Sequence, residues 1–199
     1  MIARKPFIVG LGGTTRVGST SEKALTVALA RARALGAEVR AFTGVALAFE
    51  PYDPAIKLRS SPATLLIEAL READGVIIAT PGYHGSISGL IKNALDYTED
   101  MRGDTRPYLE GRAVGCIVCA DGTQALGSTV QAVRSIVHAL RGWPTPLAAL
   151  INSTSGPFSP NGEVSDAAVE CQLHILATQV VDFARMQQLR VVPDHCLAA

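Results

Sequence analysis

The chain should fold as one α/β domain built on a doubly wound, five-stranded parallel sheet with helices on both faces. Three observations carry that expectation. Apolar runs of strand length alternate with stretches whose apolar residues recur at helical spacing, as in repeated βαβ units. The 199 residues suit a single such domain, since two would each be small, and no repeat, low-complexity tract or linker divides residues 1–199. Finally, 48% of the residues are hydrophobic but only 5% aromatic, with abundant Ala and Gly, a mix that suits helices packed tightly on a sheet rather than disorder.

Phe7-Ile8-Val9-Gly10-Leu11 reads as a first strand running into Gly12-Gly13. From Ser21 to Leu35 the residues Ala24, Leu25, Ala28, Leu29, Ala32 and Leu35 repeat at helical spacing, and Gly36 stands where a helix C-terminal glycine belongs. Residues 37–42 form a second strand; the charges Glu38 and Arg40 flanking Val39 place it near an edge. Residues 43–62, with Gly44, Pro51, Asp53, Pro54 and Pro62, read as a long loop, followed by a helix over 63–73. Gly75 to Thr80 is a fully apolar strand of the sheet centre. A turn at 81–85 leads to a helix over about 88–99, and 100–111 is a polar loop. The remaining order is a strand over 112–119, a helix over 127–141, a strand over 146–152, a Ser/Pro/Gly-rich loop over 153–162 and a last helix over 165–188.

Eighteen basic and eighteen acidic residues give zero net charge, so there is no basic field for nucleic acid or anionic lipid. No window reaches the ~20 apolar residues of a membrane span, and the N-terminus lacks a signal-peptide apolar stretch. A cytoplasmic protein with neither nucleic acid nor membrane as partner is expected. Of the cysteines at 116, 119, 171 and 196, Cys116 and Cys119 form a C-x-x-C, yet they fall in a buried strand, where positions three apart face opposite sides. They read as structural; no second cysteine pair or histidine pair completes a zinc set, so no metal is expected.

Function is expected where strands one, three and four end. The loops 12–21, 81–86 and 120–127 are rich in Gly, Ser and Thr and should converge at the carboxyl edge of the sheet. The first offers Thr14, Thr15, Ser19, Thr20 and Ser21 with one cation, Arg16, before a helix opens; hydroxyls and amides at a helix N-terminus suit a phosphate. The same residues also fit an ordinary βα turn with an N-cap at Thr20 or Ser21. No lysine follows as in a Walker A loop, and Thr15 stands where a dinucleotide fingerprint needs its third glycine, so a mononucleotide is indicated. In the second loop Pro81, Gly82, Tyr83, His84, Gly85 and Ser86 can border a planar heterocycle, with Tyr83 stacked on or beside it. His84 has no evident carboxylate or serine partner and reads as ligand-facing or loop-forming rather than as an acid or base. Asp121 and Gly122 of the third loop can line the far edge, although Asp121 also suits a plain turn.

These residues resemble the NAD(P)H-dependent FMN reductases, a branch of the flavodoxin-like flavoproteins. The stretch Gly13 to Ser21 is similar to their G-S-x-R-x-x-S-x-[ST] loop, with Thr14 for serine. Pro81 through Tyr97 is similar to their P-E-Y-[NH]-G-S-x-x-G-x-[LI]-K-N-A-[LIF]-D-[WY] block, with Gly82 replacing glutamate. The third loop departs too, with Asp121-Gly122-Thr123 for a glycine cluster. The resemblance covers about residues 7–150 and implies the sheet order 2-1-3-4-5. It implies FMN as cofactor, with Thr14, Arg16, Ser19, Thr20 and Ser21 at its phosphate and Pro81 to Ser86 with Asp121-Gly122 around its ring. NADPH or NADH would be co-substrate, no residue would act as catalytic acid or base, and the protein would be a homodimer or homotetramer. Reduced FMN would serve a flavin-dependent monooxygenase or other acceptor. The alternatives are a relative that retains FMN and reduces quinones, azo dyes or metal oxyanions, and a flavodoxin-type electron carrier, against which the zero net charge counts.

Overall fold

In the computed structural model, which describes residues 4–189, strands and helices alternate in the expected order. The chain runs β1 (Phe7–Gly12), α1 (Thr20–Ala34), β2 (Glu38–Phe42), α2 (Ser61–Glu72), β3 (Gly75–Pro81), α3 (Gly89–Asp96), β4 (Ala113–Ala120) and α4 (Thr123–Ala139). It ends with β5 (Trp143–Pro144), β6 (Ala149–Asn152) and α5 (Ala167–Gln188). The sheet is parallel with β2 at one edge, then β1, β3 and β4. Both β5 and β6 pair with β4, so two short strands together fill the fifth position. The order 2-1-3-4-5 is that of the flavodoxin-like fold.

The break in the fifth position has a local cause. Pro146 has no N–H to give a ladder. Around it Thr145 Oγ1 donates to Leu147 O at 2.7 Å, and Arg134 Nη2 donates to the carbonyls of Thr145 and Pro146. On the outer side the Gln179 and Gln172 side chains accept from the amides of Leu147 and Leu150, capping an otherwise open edge.

Two cores flank the sheet. One joins β-strand residues such as Val76, Ile78, Val114 and Val118 to α2, α3 and α4; the other joins Ile8, Ile77 and Ile117 to α1 and α5. Cys116 belongs to the first and Cys119 to the second, as alternation on a strand requires. Burial pushes both thiols up to about 12. Cys196 lies outside the described residues. Gly75 and Gly115 leave the space that Val180 and Leu176 of α5 fill, which brings that helix close to the sheet.

α4 begins at Thr123, four residues before the sequence expectation. Gly127, Ser128 and Thr129 look like turn residues but lie inside the helix: Ser128 Oγ donates back to Gln124 O, and Thr129 Oγ1 donates to Ser86 O. The third loop is thereby shortened to Asp121-Gly122. Among the described residues no helix is long and apolar enough to cross a membrane.

At the amino edge of the sheet, the Arg112 side chain is fully buried and donates only to main-chain carbonyls: those of Arg71 and Ala73 at the end of α2, and those of Tyr108 and Glu110. It closes the helix C-terminus that lacks internal donors. Desolvation lowers its pKa to about 10, with the Arg106 charge adding to the fall. Beside it Asp74 accepts from both Nη atoms of Arg4, from Phe7 N and from Gln188.

Candidate functional site

β1, β3 and β4 end on a cavity of about 450 Å³, at the point where the chain order switches from β2 to β3 across β1. Ligand cavities of small molecules have this scale. The first loop enters it through Gly13, whose amide donates to Ala79 O at 2.8 Å. A Cβ on Gly13 would meet Ile91, Ala79 O and Pro81 within 2.9 Å, so only glycine lets the loop lie against β3. Thr14 Oγ1 accepts from Arg16 N, turning the chain, and Gly18 adopts φ +69 just before the helix.

The N-cap of α1 is Ser19, one position before the expected Thr20 and two before Ser21: its Oγ accepts from Glu22 N at 3.3 Å and lies 3.3 Å from Ser21 Oγ. Thr14, Arg16, Ser19, Thr20 and Ser21 all line the cavity, with Ser19 and Ser21 buried. The cap reading and the cleft reading of this loop are therefore compatible, because the capping hydroxyl also faces the cavity. The guanidinium of Arg16 makes no hydrogen bond or ion pair among the described residues.

The second loop is a tight reversal. Tyr83 N donates to Ser86 O and Ser86 N to Tyr83 O, each at 3.0 Å. The two residues between them, His84 and Gly85, both have positive φ, 51° and 83°. That is the geometry of a two-residue type I′ turn, whose first central position tolerates Asn, Asp or His and whose second favours glycine. His84 is thus a turn former. Pro81, Gly82 and Tyr83 line the cavity, Tyr83 half exposed at 54%. His84 and Gly85 instead border an adjoining hollow that shares Gly122 and Ala125 with the cavity, and Ser86 is spent in the turn.

Gly82 accounts for its own departure from glutamate. Its amide donates to Cys119 O at 2.8 Å, and a Cβ there would come within 2.8 Å of Thr129 Oγ1 and 3.1 Å of Ala120 Cβ. α4 therefore sits against the loop in a way that no side chain at 82 permits. Asp121 and Gly122 line the cavity, and Gly122 caps α4 without a side-chain bond, so the first amides of that helix have no capping side chain.

Ser153, in the short turn after β6, also lines the cavity, as do Cys119, Ala120 and Ala125. Ser153 has no sequence-derived role; its one signal is its place in a serine-rich loop at the carboxyl end of the fifth strand.

The second half of the 81–97 block builds support rather than lining. Asn93 accepts from Tyr52 N at 2.8 Å and donates to the carbonyls of Phe49 and Glu50, and Tyr97 OH donates to Glu50 O. Arg59 lies over the rings of Tyr52 and Tyr97 and makes two 2.7 Å bonds to Asp100. The Arg59 bonds hold the Asp100 carboxyl below the usual carboxylate range, while desolvation raises the Tyr52 and Tyr97 phenols. Lys92 and Asp96 pair along α3.

Fold and cleft together define a flavodoxin-like protein with a mononucleotide-sized site at its switch point. The NADPH-dependent FMN reductase family matches residues 6–155, and the chain belongs to that family. The FMN-dependent NADPH-azoreductase of Staphylococcus aureus is 28% identical over 120 residues, 59% of this chain and 60% of that enzyme; the match thus spans about three fifths of the curated relative's length. Among solved structures, an apo NADH:FMN oxidoreductase aligns with a TM-score of 0.70 at 22% identity, covering 95% of this chain and 92% of that one. The flavoenzyme NAD(P)H:(acceptor) oxidoreductase FerB of Paracoccus denitrificans aligns at 0.71 and 20%, covering 92% and 99%. At these identities both structures speak to the shared fold.

Proposed function

We propose that the protein is an NAD(P)H-dependent FMN reductase that passes a hydride from NADPH or NADH to FMN and hands on the reduced flavin, a flavin-dependent monooxygenase being one fitting recipient. One observation carries the reading. The hydroxyl-rich loop of Thr14 to Ser21 meets Pro81–Tyr83 and Asp121–Gly122 in a single cleft. One end of that cleft offers what a phosphate needs: the Ser19, Thr20 and Ser21 hydroxyls, the start of α1 and a free Arg16 guanidinium. The rest of the cleft is lined by Pro81, Gly82, Tyr83, Asp121 and Gly122, against which a flat ring can lie.

In this reading Thr14, Arg16, Ser19, Thr20 and Ser21 hold the phosphate. Pro81, Gly82, Tyr83, Asp121 and Gly122 border the ring, with Gly85, Ser86 and His84 shaping the turn beneath it. FMN, when bound, supplies the hydride chemistry itself. The chain's own residues position: the Gly13 contact fixes the loop height, the 83–86 turn fixes the wall, and Tyr83 screens the mouth from water. No side chain is assigned as acid or base. The chain acts as one domain over 1–199, in the cytoplasm, as a homodimer or homotetramer.

The azoreductase relatives favour a second reading in which FMN stays bound as a prosthetic group and azo dyes, quinones or metal oxyanions are reduced. Purified protein separates the two. Flavin lost on gel filtration, with NADH or NADPH oxidation saturating in free FMN, supports the first. Retained flavin with turnover only on quinone or azo dye supports the second, and absence of flavin binding sinks both.

A further inference from the structure

Glu22, in the first turn of α1, reaches back over the helix start. Gly18 N–H donates to Glu22 Oε2 at 2.6 Å, while Glu22 N–H donates to Ser19 Oγ at 3.3 Å. This is a reciprocal capping arrangement in which the carboxylate takes the amide just before the N-cap. Gly18, at φ +69, sits between Arg16 and Ser19, both of which line the cleft. The carboxylate therefore occupies one loop donor and places a fixed negative charge at the very helix terminus where the dipole and Arg16 favour an incoming anion. No ion pair neutralises it: among the described residues neither Glu22 nor Arg16 has a charged partner within salt-bridge distance.

We propose that Glu22 is a built-in competitor of the FMN phosphate, weakening the hold of the loop so that FMN exchanges. The inference rests on the reading of the Thr14–Ser21 loop as the phosphate seat. A phosphate entering that seat is attracted by the helix dipole and Arg16 and repelled by the Glu22 carboxylate at the same helix start. The net attraction is lower than the hydroxyl-rich loop alone would give. Riboflavin, which has the same ring and no phosphate, would be indifferent to the carboxylate. Exchange of this kind suits a flavin that leaves as product.

The substitution Glu22→Gln keeps an acceptor for Gly18 N–H and removes the charge. Fluorescence titration at low salt should show FMN binding about ten-fold tighter than in the wild type, with riboflavin affinity unchanged. The gain should fade at about 1 M salt, where the screening length falls to about 3 Å. Glu22→Lys should tighten FMN further, which a merely helix-capping role for Glu22 would not produce. If the wild type prefers FMN to riboflavin but neither variant alters that preference, or if both flavins shift together, this inference is overturned while the phosphate seat stands. If neither the wild type nor Glu22→Gln binds FMN more tightly than riboflavin, the phosphate seat falls and the inference with it.

Discussion

The two edges of this sheet solve opposite problems. In a parallel α/β sheet, helices end at the amino edge of the strands and begin at the carboxyl edge, so one rim carries surplus carbonyls and the other surplus amides. At the amino rim Arg112 donates to four of these main-chain carbonyls, while Asp74 accepts from Arg4, Phe7 N and Gln188. At the carboxyl rim some donors stay available. Among the described residues the Arg16 guanidinium has no partner, Gly122 caps α4 without a side-chain bond, and Ser19 and Ser21 line a cavity. One rim is closed by its own hydrogen bonds and the other borders a cleft, in the same fold and with the same kinds of group.

The strongest way to break that contrast is at the amino rim. Arg112→Met would fit the buried volume but strip the carbonyls of their donor. Each buried acceptor left unpaired costs about 1–3 kcal/mol, so a loss of about 3 kcal/mol or more is expected in urea unfolding. Flavin affinity of the folded fraction should stay within about two-fold of the wild type. A large fall in affinity with little loss of stability would mean that the rims are not separate.

The buried thiols make the next largest effect. Both Cys116 and Cys119 are raised to about 12 by desolvation. The unfolded chain ionises them near 9, so their contribution to stability is whole below pH 9 and is lost as pH rises towards 12. Each contributes up to about 1.4 kcal/mol of loss per pH unit in that window. Urea midpoints at pH 8 and pH 10 should therefore diverge more in the wild type than in Cys119→Ala, and a thiol reagent at pH 8 should modify exposed Cys171 while leaving the strand pair intact.

A change of about 2 kcal/mol is expected from Asn93→Ala, which loses three bonds to the 49–52 segment. It tests whether the second half of the 81–97 block is support. Unfolding should shift to lower urea while FMN affinity changes less than stability does.

How far the sequence could be read follows the same division. The strands and the order of elements were legible because burial on both faces writes continuous apolar runs such as Gly75–Thr80, and because the glycine-flanked loops fall where strands end. The start of α4 was not, since Gly127, Ser128 and Thr129 carry turn chemistry that the helix absorbs through tertiary bonds to Gln124 and Ser86. The split at Pro146 was hidden by the apolar run around it, and only the glutamines of α5 reveal how that edge is closed. At the site, the loop residues were legible by type, but the direction of His84 was not. A residue at φ 51 turns away from the neighbours that alternation would assign it. Ser153 lies far along the chain from the other loops, and Glu22 looks like any acidic residue of a first helical turn until its bond to Gly18 is seen.

The smallest expected effect is also the most selective. The Arg16 side chain is exposed and unpaired among the described residues, so Arg16→Ala should leave the stability measured in urea within about 0.5 kcal/mol of the wild type. It removes the one cation that lines the cleft among the described residues. A hydrogen bond to a charged group contributes about 1.5–3 kcal/mol, and exposure places Arg16 at the low end, so FMN should bind about ten-fold more weakly. Riboflavin should bind Arg16→Ala as it binds the wild type, because it brings no phosphate to the loop. Loss of FMN affinity with stability intact would be the mirror image of Arg112→Met, where stability falls and affinity holds. If instead FMN and riboflavin weaken together, Arg16 acts on the ring or on the loop's shape, and the carboxyl rim cannot be read as an anion seat separate from the wall that borders the ring.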